Sequence, residues 1–272
     1  MKKCWLDEKI FIITGASSGL GRGIAEKLIL NHGCTVYGIG RSSKKFDDLI
    51  SALGNKSHLL KPVLMDVTDK AAWANFADTL PAKIDGIINC AGILPPFKRA
   101  KKATNEEIED IMSVNFFSAV YAINALTNCL SKSPAIINVA SSAALCTIVG
   151  TSAYSASKSA LKSYTEALIY ELKGKAYVSL VMPGFARTDI FRSQNSKIND
   201  DRLFLMMSMP AEKMINKIYR GIKKKRTRMV FGKDAHAMSI FYRLMPKTTM
   251  LIISKILKKA NVKLFEDVFT ED

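Results

Sequence analysis

Acidic residues are almost missing from one stretch of this sequence. Between Lys213 and Lys263 stand 15 lysines and arginines and a single acid, Asp234, so this segment holds +14 of the net +16. The remainder is nearly neutral, and any electrostatic attraction to a polyanion is confined to that segment. Histidine is equally scarce: His32, His58 and His236 stand apart from one another and from any acid cluster, each reading as a surface or loop residue. A metal site and a Ser-His-Asp triad therefore have no support. The five cysteines (Cys4, Cys34, Cys90, Cys129, Cys146) are odd in number, widely spaced and form no C-x-x-C. That pattern speaks against a disulfide framework or zinc site and for a reducing, cytoplasmic setting. Long apolar runs are lacking too. Lys2 and Lys3 are followed only by the short run Ile10 to Ile13, far below a signal-peptide core. Residues 133 to 157 carry no charge, but Pro134, Asn138, Gly150 and six serines make them a buried strand and a polar loop rather than a membrane span.

What is present is the composition of a folded protein, 272 residues with 48% hydrophobic and 24% charged side chains. Short apolar runs read as strands over 9–15, 34–40, 59–65, 84–90, 135–140 and 178–182. Helix-period stretches read as helices over 20–31, 45–53, 70–80, 105–130 and 155–173. Regular alternation of this kind predicts an α/β fold, a single doubly wound parallel sheet of the Rossmann type, with its site beyond the carboxyl ends of the strands. Residues 1 to 232 read as one dinucleotide-binding and catalytic domain, and residues 233 to 272 as a basic, amphipathic, partly helical extension.

The first strand ends in Thr14-Gly15-Ala16-Ser17-Ser18-Gly19-Leu20-Gly21 and a helix follows at once. Glycines let the backbone turn tightly against a pyrophosphate, whose charge then meets free N–H groups at the helix start. The spacing of Gly15, Gly19 and Gly21 resembles the T-G-x-x-x-G-x-G of short-chain dehydrogenases/reductases. Six further features follow in that family's order: Asp66, Asn89-Cys90-Ala91-Gly92, Asn115, Ser141, Tyr154-x-x-x-Lys158 and Pro183-Gly184. Cys90 departs from the family, which has a second asparagine there; local loss of a hydrogen bond is the expected cost. The resemblance implies a nicotinamide cofactor held by Gly15, Ser17, Ser18, Gly19, Leu20 and Gly21, by Asp66 and Val67 at the adenine, by Asn89, Ala91 and Gly92 on the adenosine side, and by Pro183, Gly184 and Thr188 near the carboxamide.

The choice between NAD(H) and NADP(H) turns on the end of the second strand. An acid there binds a ribose 2′-OH, whereas an arginine accommodates a 2′-phosphate. Arg41-Ser42-Ser43-Lys44-Lys45 follows Gly40, and no acid appears before Asp47. NADP(H) is favoured, with Arg41 and Ser42 as its contacts and NAD(H) as the alternative.

Tyr154 and Lys158 are four residues apart on a helix and share a face. A phenol is a poor general base near neutrality, and an adjacent ammonium is expected to lower its pKa. By resemblance, Ser141 polarises the substrate oxygen, Tyr154 exchanges its proton with that oxygen, and Lys158 holds the nicotinamide ribose. Lys158 also returns the proton through a water supported by Asn115. Ser142 is chemically equivalent to Ser141, and the family spacing selects Ser141.

Residues 143–150 and 185–209 are apolar and methionine-rich, including Phe185, Ile190, Phe191, Leu203 to Met207 and Met209. They suit a hydrophobic alcohol or carbonyl such as a steroid-, retinoid- or lipid-like molecule, and core packing explains them equally well. The basic segment interleaves cations with apolar side chains. It reads either as an interfacial helix on an anionic membrane or as a face packed on the domain or a neighbouring subunit, and it has too few base-stacking aromatics for nucleic acid. The activity expected is an NADP(H)-dependent interconversion of an alcohol and its ketone or aldehyde, in a homodimer or homotetramer. The alternative is an idle cofactor-binding or membrane-surface scaffold, for which Ser141, Tyr154 and Lys158 would have no use.

Overall fold

The structure, a computed structural model, describes residues 3–80, 83–187, 190, 208–259 and 265–269. Six apolar runs form the strands expected: β1 (Ile10–Thr14), β2 (Thr35–Gly40), β3 (Leu60–Leu64), β4 (Ile84–Asn89), β5 (Leu130–Val139) and β6 (Tyr177–Pro183). Segments this apolar cannot leave one face wet, so both faces must be covered. In β1, Phe11 and Ile13 enter one core cluster while Ile12 enters another, and all three are fully buried. Each such burial is worth roughly 1.5–3 kcal/mol. The covering helices are α1 (Gly19–His32), α2 (Ser43–Leu53), α3 (Lys70–Thr79), α4 (Asn105–Met112), α5 (Ser118–Leu126) and α6 (Ser152–Glu171). Their ends follow local chemistry. Gly33, in the left-handed region at φ 61°, closes α1; Asp69 accepts from Ala71 N and Ala72 N to start α3; Thr104 and Glu107 form a reciprocal capping box on α4.

Beyond β6, β7 (Ala186–Arg187) pairs with β8 (Met209–Pro210), and α7 (Ala211–Lys223) leads into β9 (Arg228–Phe231). The main sheet has the parallel order β3-β2-β1-β4-β5-β6-β9, so the winding direction reverses between β1 and β4 and opens a crevice above their carboxyl ends. α8 (Lys233–Leu244), α9 (Pro246–Lys259) and α10 (Glu266–Phe269) complete the described chain.

Besides the two-residue strands β7 and β8, two elements were not foreseen. β9 is a four-residue run embedded among cations, and α7 buries Met214, Ile215, Ile218 and Ile222 at helical spacing although lysines and arginines separate them. The long helix expected over 105–130 is also broken, because a π turn (Ser113–Phe117) separates α4 from α5.

Candidate active site

The crevice is first a backbone construction. Gly15 has φ +68°, and a Cβ there would lie 3.1 Å from Ala91 Cα, while a Cβ on Gly21 would strike Gly15 O. Only glycine fits either position. Ser18 caps α1 in an extended conformation without a side-chain cap bond, and the first turn of the helix contains no acid. Its N–H groups therefore meet the crevice without a side-chain acceptor, which is the donor set a pyrophosphate needs. Gly15, Ser18, Gly19, Leu20 and Gly21 line one wall, and Ala91 and Gly92 face them. Thr14 Oγ1 accepts from Cys90 N and Ala91 N, both at 3.0 Å, and so fixes the turn after β4.

At one end the crevice is bounded by Ser17, Arg41, Ser42, Asp66 and Val67. Asp66 accepts from Thr68 N at 2.8 Å and Thr68 Oγ1 at 2.7 Å, which together with Arg41 holds its carboxyl below the usual range. Arg41 Nη1 lies 4.0 Å from Asp66 Oδ2 with its side chain 75% exposed, leaving most of the guanidinium open to a ligand. Ser42 Oγ accepts from Lys45 N at 3.4 Å to cap α2, and its own proton remains free to donate. Lys45 lines both halves of the crevice, and sequence reasoning missed it as a site residue. Its signal was its place in the first turn after Arg41. The Asn89 side chain is buried, donating from Nδ2 to Asn138 Oδ1 at 2.8 Å, and its Oδ1 has no hydrogen-bond partner among the described residues.

The other end holds Ser141, Tyr154 and Lys158, brought together although they come from the loop after β5 and from α6. Ser141 hydrogen-bonds the Tyr154 phenol, and its Oγ also accepts from Ala143 N at 3.2 Å. Ser142 is buried in the short turn behind it. Tyr154 is 9% exposed, and burial pushes its phenol above the ordinary value while the Ser141 bond pulls it down. This corrects the expectation that Lys158 lowers it. Lys158 Nζ instead donates to Val139 O at 3.2 Å, and burial draws the ammonium down to about 8, with the Cys90 thiol its opposing neighbour. The same burial pushes that thiol up to about 12.

Asn115 explains the broken helix. Its Oδ1 accepts from Ile93 N at 2.8 Å, and its Nδ2 donates to Ile93 O at 3.0 Å and to Ser157 Oγ at 3.1 Å. Ser157 in turn donates to Tyr154 O at 2.8 Å. The side chain is thus a clamp between the turn after β4, the π turn and the face of α6 that carries Tyr154 and Lys158. A Cβ on Gly92 would lie 3.1 Å from Asn115 Oδ1 and 3.3 Å from Lys158 Nζ, so only a glycine leaves this space open.

Next to Tyr154 the crevice has an apolar end, the chamber, lined by Leu94, Phe97, Ala143 and Ile148. These pack with Tyr154, and Leu257, Phe265 and Val268 from the far end of the chain back them in one cluster. The basic segment is therefore docked in part on the domain. Its lone acid is the fastener: Asp234 Oδ2 accepts from Phe185 N at 3.1 Å, and its carboxylate fills the space where side chains at Gly184 and Gly232 would go. Pro183, Gly184 and Phe185 line the crevice, so this clasp sets one of its walls. Asp234 was visible in the sequence only as the exception in a cationic stretch. Thr188, Phe191 and Leu203 to Met207 lie outside the described residues. His32 is not a surface residue: it is buried at the end of α1, with Nδ1 2.6 Å from Asp7 Oδ1 and Nε2 2.8 Å from Tyr219 Oη, remote from the crevice.

Residues 9–199 match the family model for short chain dehydrogenases. Among curated proteins, L-2,3-butanediol dehydrogenase of Corynebacterium glutamicum is 32% identical over 202 residues, 70% of this chain and 78% of that protein. Two solved structures share the fold. A short-chain dehydrogenase/reductase of Burkholderia phymatum in complex with NAD has a TM-score of 0.79 at 21% identity, covering 91% of this chain and 96% of that one. A Burkholderia cenocepacia short chain dehydrogenase in complex with NADP has a TM-score of 0.75 at 24% identity, covering 91% and 98%. The chain belongs to the short-chain dehydrogenase/reductase family, oxidoreductases that act on CH–OH donors with a nicotinamide cofactor.

Proposed function

We propose that this protein is an NADP(H)-dependent oxidoreductase that interconverts an apolar secondary or primary alcohol and its ketone or aldehyde. The observation that carries the proposal is the meeting of Ser141, Tyr154 and Lys158 at one end of a crevice whose other end is glycine-built and basic. A bound nicotinamide supplies or accepts the hydride. Ser141 donates a hydrogen bond to the substrate oxygen, and Tyr154 gives its proton to that oxygen during reduction or takes it during oxidation. A phenol held high by burial suits reduction, since it keeps its proton until a developing alkoxide draws it away. Lys158 holds the nicotinamide ribose and returns a proton to Tyr154. Asn115, committed to Ile93 and Ser157, sets the gap beside Lys158 that a relay water would bridge.

Arg41, Ser42 and Lys45 around the end of β2, with no acid among them, support NADP(H) over NAD(H). Ser17, Asp66, Val67, Ala91, Gly92, Pro183 and Gly184 complete the cofactor set, while Thr188 keeps its role from family resemblance. The apolar part of the crevice lining beside Tyr154, Leu94, Phe97, Ala143 and Ile148, supports an apolar substrate. Residues 1–232 form the catalytic domain and 233–272 its extension, in a cytoplasmic homodimer or homotetramer able to touch an anionic membrane peripherally. A panel of soluble apolar ketones and aldehydes, followed by NADPH and NADH absorbance, tests the reading. Turnover of none of them, or a preference for NADH, would overturn it.

A further inference from the structure

Among the described residues, the outer face of α8 and α9, the roof above the chamber, has a character found nowhere else. Of the thirteen large apolar side chains that are exposed among the described residues, seven fall between Ile240 and Ile256. Ile240 and Leu244 are one turn apart on α8, and Ile252 and Ile256 one turn apart on α9. Leu251, 62% exposed, stands in a column with Lys247 and Lys255. The opposite column of α9, Thr249, Ile253 and Leu257, turns inward, and Leu257 is buried beside Tyr154 and Phe265. The residues that dock the helix are therefore distinct from those it exposes. From Ala235 to Lys259 the chain has five lysines and arginines and no acid.

We infer that the exposed face of α8 and α9 docks on an anionic phospholipid bilayer and sets the chamber against the membrane surface. This rests on the apolar-substrate reading for its use, but its physical basis is independent. A stripe of exposed apolar side chains is framed by cations, and between Ala235 and Lys259 there is no acid to repel lipid phosphates; the exposed acid nearest in sequence among the described residues, Asp267, is on α10. A helix crossing the membrane is not involved, since none of the described helices is long and apolar enough. A second copy of the chain fits the face less well, because a self-complementary interface would bring like-charged lysines together without acids to pair them. Docking in the plane of the lipid would present the roof, with Tyr154 beneath it, to molecules dissolved in the bilayer.

The test is sedimentation of the full chain with vesicles of phosphatidylcholine alone or mixed with phosphatidylglycerol. The protein should pellet with the anionic vesicles at low salt, stay in solution with the neutral ones, and be released by high salt. Two surface variants separate the contributions. Lys247→Gln/Lys255→Gln/Lys258→Gln should weaken binding about a hundredfold, and Leu251→Ser/Ile252→Ser/Ile256→Ser by at least about tenfold, with reduction of a soluble carbonyl unchanged in both. No pelleting at low salt, or pelleting indifferent to both variants, overturns the inference. A wild type that is dimeric by light scattering and becomes monomeric in the Leu251/Ile252/Ile256 variant also overturns it and assigns the face to a second copy. Vesicle binding needs no turnover, so failure of the soluble-carbonyl assay would sink the proposed reaction without touching this result.

Discussion

The two ends of the crevice are built by different means. The cofactor end is made of main chain: glycines where a Cβ would collide, a helix start with free N–H groups, and a threonine hydroxyl that holds a turn. The chamber end is walled by side chains such as Phe97, backed by segments from as far along the chain as Phe265, whose ring centroid lies 4.9 Å from that of Phe97. Main-chain sites demand particular residues at fixed spacings, so they leave a pattern. Side-chain chambers demand only volume and polarity, which many sequences satisfy.

The largest effect expected is at the junction of the two ends. Tyr154→Phe keeps the buried ring and removes the proton donor, so turnover should fall about 10²–10⁴-fold while NADPH affinity is unchanged, measured by steady-state kinetics and fluorescence titration. Near-normal turnover would mean that another group moves the proton. That outcome would also weaken the distinction between the two ends, since Tyr154, with Leu94, Phe97, Ala143 and Ile148, belongs to both the crevice lining and the apolar cluster.

Lys158→Met should abolish turnover and weaken cofactor binding, yet stabilise the fold. The Lys158 ammonium is disfavoured by burial, and its pKa falls from 10.5 to about 8. The folded state therefore holds the proton less tightly than the unfolded chain does. The resulting cost is fully present below pH 8 and fades as pH rises towards 10.5. Removing the amine should gain about 1–3 kcal/mol near neutrality, a gain that shrinks in thermal melts recorded above pH 8. A variant no more stable than the wild type would show that the Val139 carbonyl compensates the charge.

What could be read in advance follows this division. The first six strands were legible from their period, and the gathering of Gly15, Gly19, Gly21, Ser141, Tyr154 and Lys158 in one crevice was legible from the family pattern that their spacing resembles. Three things were not. The π turn at Asn115 depends on a bond to Ile93, 22 residues away, which leaves no periodic trace. β9 and α7 were hidden because cations between their apolar residues lowered the local hydrophobic signal, and the sheet and α1 supplied the missing burial. The Tyr154 pKa direction depended on burial and on where Lys158 Nζ points, neither of which the four-residue spacing contains.

At the cofactor end, Arg41→Ser should reduce preference for NADP(H) over NAD(H) by about tenfold or more, roughly 1.4 kcal/mol, in the ratio of kcat/KM values. Arg41→Asp should go further by repelling the 2′-phosphate. It also places a second acid near Asp66, whose carboxyl Arg41 now helps to keep ionised. Its NAD(H) gain is accordingly smaller than the NADP(H) loss. An unchanged ratio in both variants would transfer the selection to Lys45 and Ser42.

The smallest effect falls at the chamber end and sharpens the comparison most. Asp234 joins the two modes of construction: a side chain from the far end of the sequence holds the main chain at Phe185, in a gap that exists because residues 184 and 232 are glycines. Burial raises its carboxyl pKa, so the folded state binds the proton more tightly than the unfolded one, and its charge costs stability above the folded value, a cost relieved as pH falls. Asp234→Asn removes that charge and keeps an oxygen for the Phe185 N–H, and should change stability by less than about 1 kcal/mol at neutral pH. Asp234→Ala removes the acceptor and leaves both a gap and an unpaired N–H, at a cost of about 1–3 kcal/mol. Because Phe185 lines the crevice beside the chamber, the alanine variant should raise KM for an apolar carbonyl severalfold with NADPH affinity and kcat nearly unchanged, and the asparagine variant should restore KM. If both variants lose NADPH affinity instead, the clasp acts on the cofactor wall, and the chamber end is less separable from the glycine-built end than its construction implies.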